Sequence, residues 1–184
     1  MSVSKSDFLV INQVELDSYQ ERQLTHDIAY HPDIVSLGTP KRMTHVALHL
    51  AKYLGALSQD SDSDAYRRVF VDSFIMIASA SNILALRMSD WIEGLNPDCS
   101  ELKSSEYTQQ YISALSSLAK ACDATDHIEN FPMNVTWKNS IVEFLRLTIS
   151  RAYATEVQLI SEAITRLDSI ESEHGLHFIL SKRK

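Results

Sequence analysis

Asp72 stands among Val69, Phe70, Val71, Phe74 and Ile75, in a stretch from Ala65 to Met88 whose apolar residues fall on every side of a helical projection. A carboxylate in such company must be paired, hydrogen-bonded or metal-bound, because an isolated buried charge is strongly unfavourable. Ser79 and Asn82 follow Asp72 at i+7 and i+10, so one polar thread runs along one face of this helix. Elsewhere, His45, His49 and Lys52 share a face at i, i+4 and i+7. Two imidazoles one turn apart can chelate a transition metal when a third ligand arrives, and are otherwise a half-exposed surface pair. Asp123, Asp126 and Glu129, with His127 among them, gather near the C-terminal end of another predicted helix. Carboxylates there oppose the helix dipole and call for solvent or a cation. Glu143 lies one helix later.

The elements that must position these residues are helices. With four Gly and four Pro in 184 residues, and long Leu, Ala, Ile and Ser stretches between them, the chain reads as one all-α domain of about five helices. Helical spacing of Leu16, Tyr19, Leu24 and Ile28 predicts a helix from Glu15 to Tyr30, ended by Pro32. The preceding apolar segment 8–14 fits a short strand or the start of that helix. Thr39 and Pro40 read as the cap and first turn of a helix reaching about Ser58, with Met43, Val46, Ala47, Leu50, Leu54 and Leu57 inward. After the acidic linker, Asp62 or Asp64 caps the central helix, which runs to about Met88. A Gly94- and Pro97-containing loop leads to a helix from about Leu102, and Pro132 opens the last stretch, Asn134 to His174. Unbroken, that stretch would span about 60 Å at 1.5 Å per residue, so it reads as one long helix in a homo-oligomer or as two with a bend.

A net charge of −7 argues against general nucleic-acid binding, the basic cluster being confined to Lys182, Arg183 and Lys184. Cys99 and Cys122 have no zinc-type spacing and read as free thiols. Without a long apolar run or a leader pattern, the expectation is a cytoplasmic protein with no membrane association. The dipeptide His26-Asp27 resembles the paired ligands of HD-type phosphohydrolases, but the other ligands of that motif are not at their set positions. It is expected on the surface.

The segments HLAKYLGAL and RRVFVDSFIMIASASNIL carry a family resemblance. From Thr44 to Leu86 the helix pair resembles the MazG-like all-α nucleotide pyrophosphohydrolase superfamily, in which ExxE and ExxD motifs on paired helices hold Mg²⁺. The resemblance implies cleavage of a nucleoside triphosphate to a monophosphate and pyrophosphate. Asp72 occupies the last position of the second motif, whereas Lys52 stands at the first Glu of ExxE and Val69 at the Glu of ExxD. The region 102–173 presents a second helix pair, a possible diverged repeat of 40–90. If the two halves pack face to face, Asp72, Asp123, Asp126 and Glu143 supply oxygen ligands for Mg²⁺. Lys52, Arg68 and Asn82 are then the expected substrate contacts. The alternative is a catalytically silent helical protein that binds a nucleotide or a protein partner, with Lys52 or Arg68 neutralising Asp72.

Overall fold

A computed structural model describes residues 11–58, 63–92, 103–127 and 129–173 of the chain. These residues are helical, with no strand among them. The helices are α1 (Gln13–Tyr30), α2 (Pro32–Val35), α3 (Thr39–Lys52), α4 (Leu54–Leu57), α5 (Asp64–Ile83), α6 (Ser104–Asp126), α7 (Met133–Ala154) and α8 (Leu159–Glu173), with a 3₁₀ turn at Met88–Trp91. None is long and apolar enough to cross a membrane.

Local chemistry sets the ends. The Asn12 side chain accepts from the Val14 amide at 2.9 Å and opens α1. Ser63 does the same for Tyr66 at 3.2 Å and opens α5, so Ser63 is the cap and Asp64 lies in the first turn, where its charge suits the dipole. Gly38, not Thr39, is the cap of α3, with Pro40 in its first turn. That helix stops at Lys52, and a separate single turn, α4, carries Leu57 into the core.

Two helices end at left-handed residues that are not glycine. Ala85 (φ 52°) closes α5 five residues before the expected Met88, and Glu156 (φ 57°) closes α7. Each forms the paired return bonds of a Schellman turn: Leu86 N–H to Ser81 O and Ala85 N–H to Asn82 O, then Val157 N–H to Ala152 O and Glu156 N–H to Tyr153 O. The second turn decides the long C-terminal stretch. It is two helices, and α8 packs on α5 and α1 of the same chain. With α7 and α8 separate and packed within one chain, no overlong helix calls for a second subunit.

The central position of α5 is as read from its pattern, since it packs against α1, α3, α4, α7 and α8. Phe74 is fully buried and stacks on Tyr19 with ring centroids 5.0 Å apart. Phe70 meets Tyr66 and Tyr107 edge-on, and Tyr111 meets Phe144 at 4.9 Å. The Tyr111 hydroxyl donates to the Leu50 carbonyl at 3.1 Å, which satisfies its buried polar end and ties α6 to α3. Residues 8–10, the linker 59–62, the loop 93–102 with Cys99, and the tail beyond Glu173 lie outside the described residues; Cys122 is a buried free thiol.

Candidate functional site: a polar cavity beside the central helix

Helix α1 has an unusual division of faces. Its buried residues are Leu16, Tyr19, Gln23 and His26, whereas Leu24 is 38% and Ile28 54% exposed. The C-terminal half of the helix thus turns polar side chains inward and aliphatic ones outward, the reverse of an ordinary packing stripe. Gln23 and His26 border a cavity of about 310 Å³ enclosed by α1, α2, α3, α5 and α8. Burying such groups is favourable only if they are satisfied.

They are. The Tyr19 hydroxyl donates to Gln23 Oε1 at 3.4 Å, and Gln23 Nε2 donates to Asp27 Oδ1 at 2.8 Å and to Ser79 Oγ at 3.2 Å. His26 Nδ1 lies 3.3 Å from Glu171 Oε1, a contact that requires the proton on Nδ1. Glu171 is itself 3.6 Å from Arg22, which also pairs with Asp168, so α8 is clasped to α1 through buried and half-buried charges. Burial pushes the His26 imidazole below its usual range, although Glu171 opposes that shift.

From α3, His45 and His49 face the same cavity, and their rings lie 4.4 Å apart. Burial lowers the His45 pKa, and burial followed by the charge of Lys52 holds His49 at about 4. At neutral pH these imidazoles are therefore uncharged. The fixed charges on the wall are Arg42, Lys52 and Arg166 against Asp27 and Asp72, three cations to two carboxylates in a chain whose net charge is −7. Arg42 leaves its Nε buried without a hydrogen-bond partner. Lys52 lies over the Tyr53 ring at 5.2 Å and is exposed at the mouth.

Asp72 lines this cavity but is half-buried rather than enclosed in the core. Its carboxylate sits 3.6 Å from Arg68 Nε and 3.7 Å from Arg166 Nε, so two guanidinium groups already answer its charge. The remaining acids of the expected metal set lie elsewhere. Asp123 pairs with Lys120 at 3.6 Å and His127 at 3.4 Å on the exposed end of α6, and Lys120 also binds Glu129 at 2.8 Å. Asp126 is exposed on the same helix end. Glu143 is held by Arg146 at 2.6 Å on the α6–α7 face. Asp72, Asp123, Asp126 and Glu143 are thus not gathered, and no cluster of three or more His, Cys, Asp or Glu suited to a metal ion occurs among the described residues. The donor set does not fit Mg²⁺, which needs several converging oxygens.

Of the expected substrate contacts, Lys52 lines the cavity and Arg68 stands behind it on Asp72. Asn82 does neither. Its amide is exchanged with Gln20, which donates to Asn82 Oδ1 at 3.0 Å and whose carbonyl accepts from Asn82 Nδ2 at 3.1 Å, clamping α1 to the end of α5. His26 and Asp27, expected on the surface, instead lie buried and half-buried on the cavity wall, and Gln23, Arg42 and Arg166 had no place among the expected site residues. The signal present in the sequence was Gln23 and His26 falling at i+4 and i+7 from Tyr19, on a face that Leu24 and Ile28 do not share. Comparison with family models, with curated proteins and with solved structures finds no match to this chain, so its function must be argued from the cavity itself.

Proposed function

We propose that the cavity binds a small phosphorylated ligand of the nucleotide type, directly through basic side chains, and that the protein is a catalytically silent relative of the MazG-like pyrophosphohydrolases. The observation that carries this reading is that Lys52 and Asp72 line the same cavity. These residues stand at the positions where the family has metal-binding carboxylates. One acid has become a cation, and the surviving acid is engaged by Arg68 and Arg166. Phosphate oxygens can then be met by ammonium and guanidinium groups rather than by a bridging cation. Ile75, Met76, Val46 and Ile83 supply the apolar wall that a sugar and base require. His45 and His49 remain neutral and can donate one hydrogen bond each to the ligand.

The test is calorimetric titration with adenosine triphosphate and with inorganic tripolyphosphate, in chelator and again with added Mg²⁺. Binding in chelator that Lys52→Ala and Arg166→Ala each weaken by about tenfold supports the reading, that being the size of one lost charge-assisted contact. Binding that appears only with Mg²⁺, together with pyrophosphate release, would restore the metal-dependent enzyme. No binding under either condition would remove the nucleotide altogether.

A further inference from the structure

The Tyr19–Gln23–Asp27–Ser79 network has a property that bracing α1 against α5 does not require. Gln23 is 1% exposed, and both its oxygen and its nitrogen are committed; a turned-over amide would set its oxygen against the Asp27 carboxylate, which can only accept, so its orientation is fixed. Asp27 and Ser79 are held on the same Gln23 nitrogen and therefore lie side by side, one from α1 and one from α5, both on the cavity wall. Each has capacity left over. Asp27 uses one carboxylate oxygen towards Gln23 and keeps the other, Oδ2, as an acceptor. Ser79 receives a hydrogen bond on Oγ and keeps its hydroxyl proton as a donor. A locked acceptor next to a locked donor, in a partly desolvated recess, is the arrangement that distinguishes one polar edge from another.

Charge divides the cavity further. Asp72 and Arg166, 3.7 Å apart, form one group beside Tyr53, whose ring Lys52 overlies at 5.2 Å. Gln23, His26, Asp27 and Ser79 form the other. A negatively charged phosphate chain belongs at the first and is repelled by the Asp27 carboxylate at the second.

Resting on the phosphorylated-ligand reading above, we infer that Asp27 and Ser79, oriented by Gln23, read the base of the nucleotide and select an amino-bearing one, whose N–H donates to Asp27 while a neighbouring ring nitrogen or carbonyl accepts from Ser79. Adenine, cytosine and guanine each carry such an amine beside an acceptor. Removing that amine leaves a charged acceptor unanswered, a loss of about 10- to 100-fold in affinity.

The experiment uses the unmodified protein and pairs of ligands that differ by the amine alone: adenosine triphosphate against purine riboside triphosphate, guanosine against inosine triphosphate, and cytidine triphosphate against its analogue lacking the 4-amino group. Tripolyphosphate serves as the base-free reference. The expected result is tighter binding of the amino-bearing member by about tenfold or more in at least one pair. Asp27→Ala should abolish that difference, and tripolyphosphate should bind no more weakly than before, since a repelling carboxylate has been removed. Equal affinities within all three pairs, with tripolyphosphate still bound, would overturn base reading and leave the anion site standing. Failure of tripolyphosphate and of every nucleotide to bind would overturn both. Because the ligand pairs are compared on the unsubstituted chain, the result does not depend on whether the Asp27 variant folds.

Discussion

The seam between α6 and α7 and the wall formed by α1, α3, α5 and α8 enclose the same core in opposite ways. At the seam, Leu118, Ala121, Phe144, Leu145 and two tyrosine rings are buried, and the acids Asp123 and Glu143 stay outside on short ion pairs with Lys120 and Arg146. On the other wall Gln23, His26, Ser79 and Glu171 are buried, and two aliphatic side chains of α1 face solvent. Apolar packing dominates the first region, with Ser140, Thr148 and the tyrosine hydroxyls as the polar groups it buries and Tyr111 bonded to the Leu50 carbonyl. The second buries charged and amide groups and links Gln23, His26, Ser79 and Glu171 to specific partners, while leaving Arg42 Nε without one, an arrangement that favours a role beyond stability. This contrast is what favours the polar wall as the place of the proposed ligand.

Substitutions can break that contrast or sharpen it. The largest effect is expected at the seam: Phe144→Ala should reduce unfolding free energy by about 3–5 kcal/mol, with Phe74→Ala on α5 similar, because both rings are fully enclosed and leave cavities. Denaturant melts measure it. In conditions where Phe144→Ala still folds, its affinity for tripolyphosphate should be unchanged. Loss of binding there would erase the distinction between the two regions.

Next in size is Glu171→Ala. Removing this carboxylate leaves His26 and Arg22 short of a partner, with an expected destabilisation of about 1–3 kcal/mol. Unlike the seam variant, it should also weaken ligand binding, since α8 carries Arg166 into the cavity. A melt that shifts without any change in affinity would make the clasp purely structural.

Smaller, and opposite in sign, is Ala85→Gly. Relief of a left-handed alanine offsets the added chain entropy of glycine, so a gain of up to about 1 kcal/mol is expected, with the ligand site untouched. Glu156→Gly should behave alike. Reduced thermal stability in either would show that the turn is maintained by something other than its backbone bonds.

A last effect is a pH dependence. His49 is held at about 4 in the folded chain and returns to an ordinary value on unfolding, so the unfolded state binds more protons between those values. Its contribution to stability is present above about pH 6.5 and is lost as pH falls towards 4. His45 and His26 act in the same direction. Melting temperature should therefore decline on acidification, with a shallower slope in His49→Gln. Tripolyphosphate affinity should move the other way, because each protonated imidazole adds a positive charge to the wall. If both fall together, the anion does not sit near these rings.

Part of this was legible in the sequence. The apolar cylinder of Ala65–Met88 and the shared face of His45, His49 and Lys52 follow from a 3.6-residue period, which is a local property. The buried face of α1 was not, because Leu24 and Ile28 satisfied a helical stripe equally well and only packing on α5 chooses between the two faces. The proposed gathering of Asp72 with Asp123, Asp126 and Glu143 failed for a related reason. Charge spacing along one helix does not determine which side meets another helix, and each of those acids except the exposed Asp126 has a cation within reach on its own or an adjacent turn. The division of the last stretch into α7 and α8 rests on a left-handed Glu156, a conformation that no residue preference announces.

The clasp between α1 and α8 joins residues about as far apart as the described chain allows: Arg22 to Asp168 and His26 to Glu171, separated by 146 and 145 positions. During synthesis the first partner of each pair leaves the ribosome long before the second. At rates of about 5–20 residues per second, some 7 to 30 seconds pass before the wall that holds Arg166 exists at all. Through that interval the aromatic rings of α5 and α6 can already assemble, while Gln23 and His26 wait in water with nothing to enclose them. The cavity is thus a late product of folding, closed only when the chain has travelled back to where it began, and a nascent or truncated chain lacking α8 would lack one of its walls.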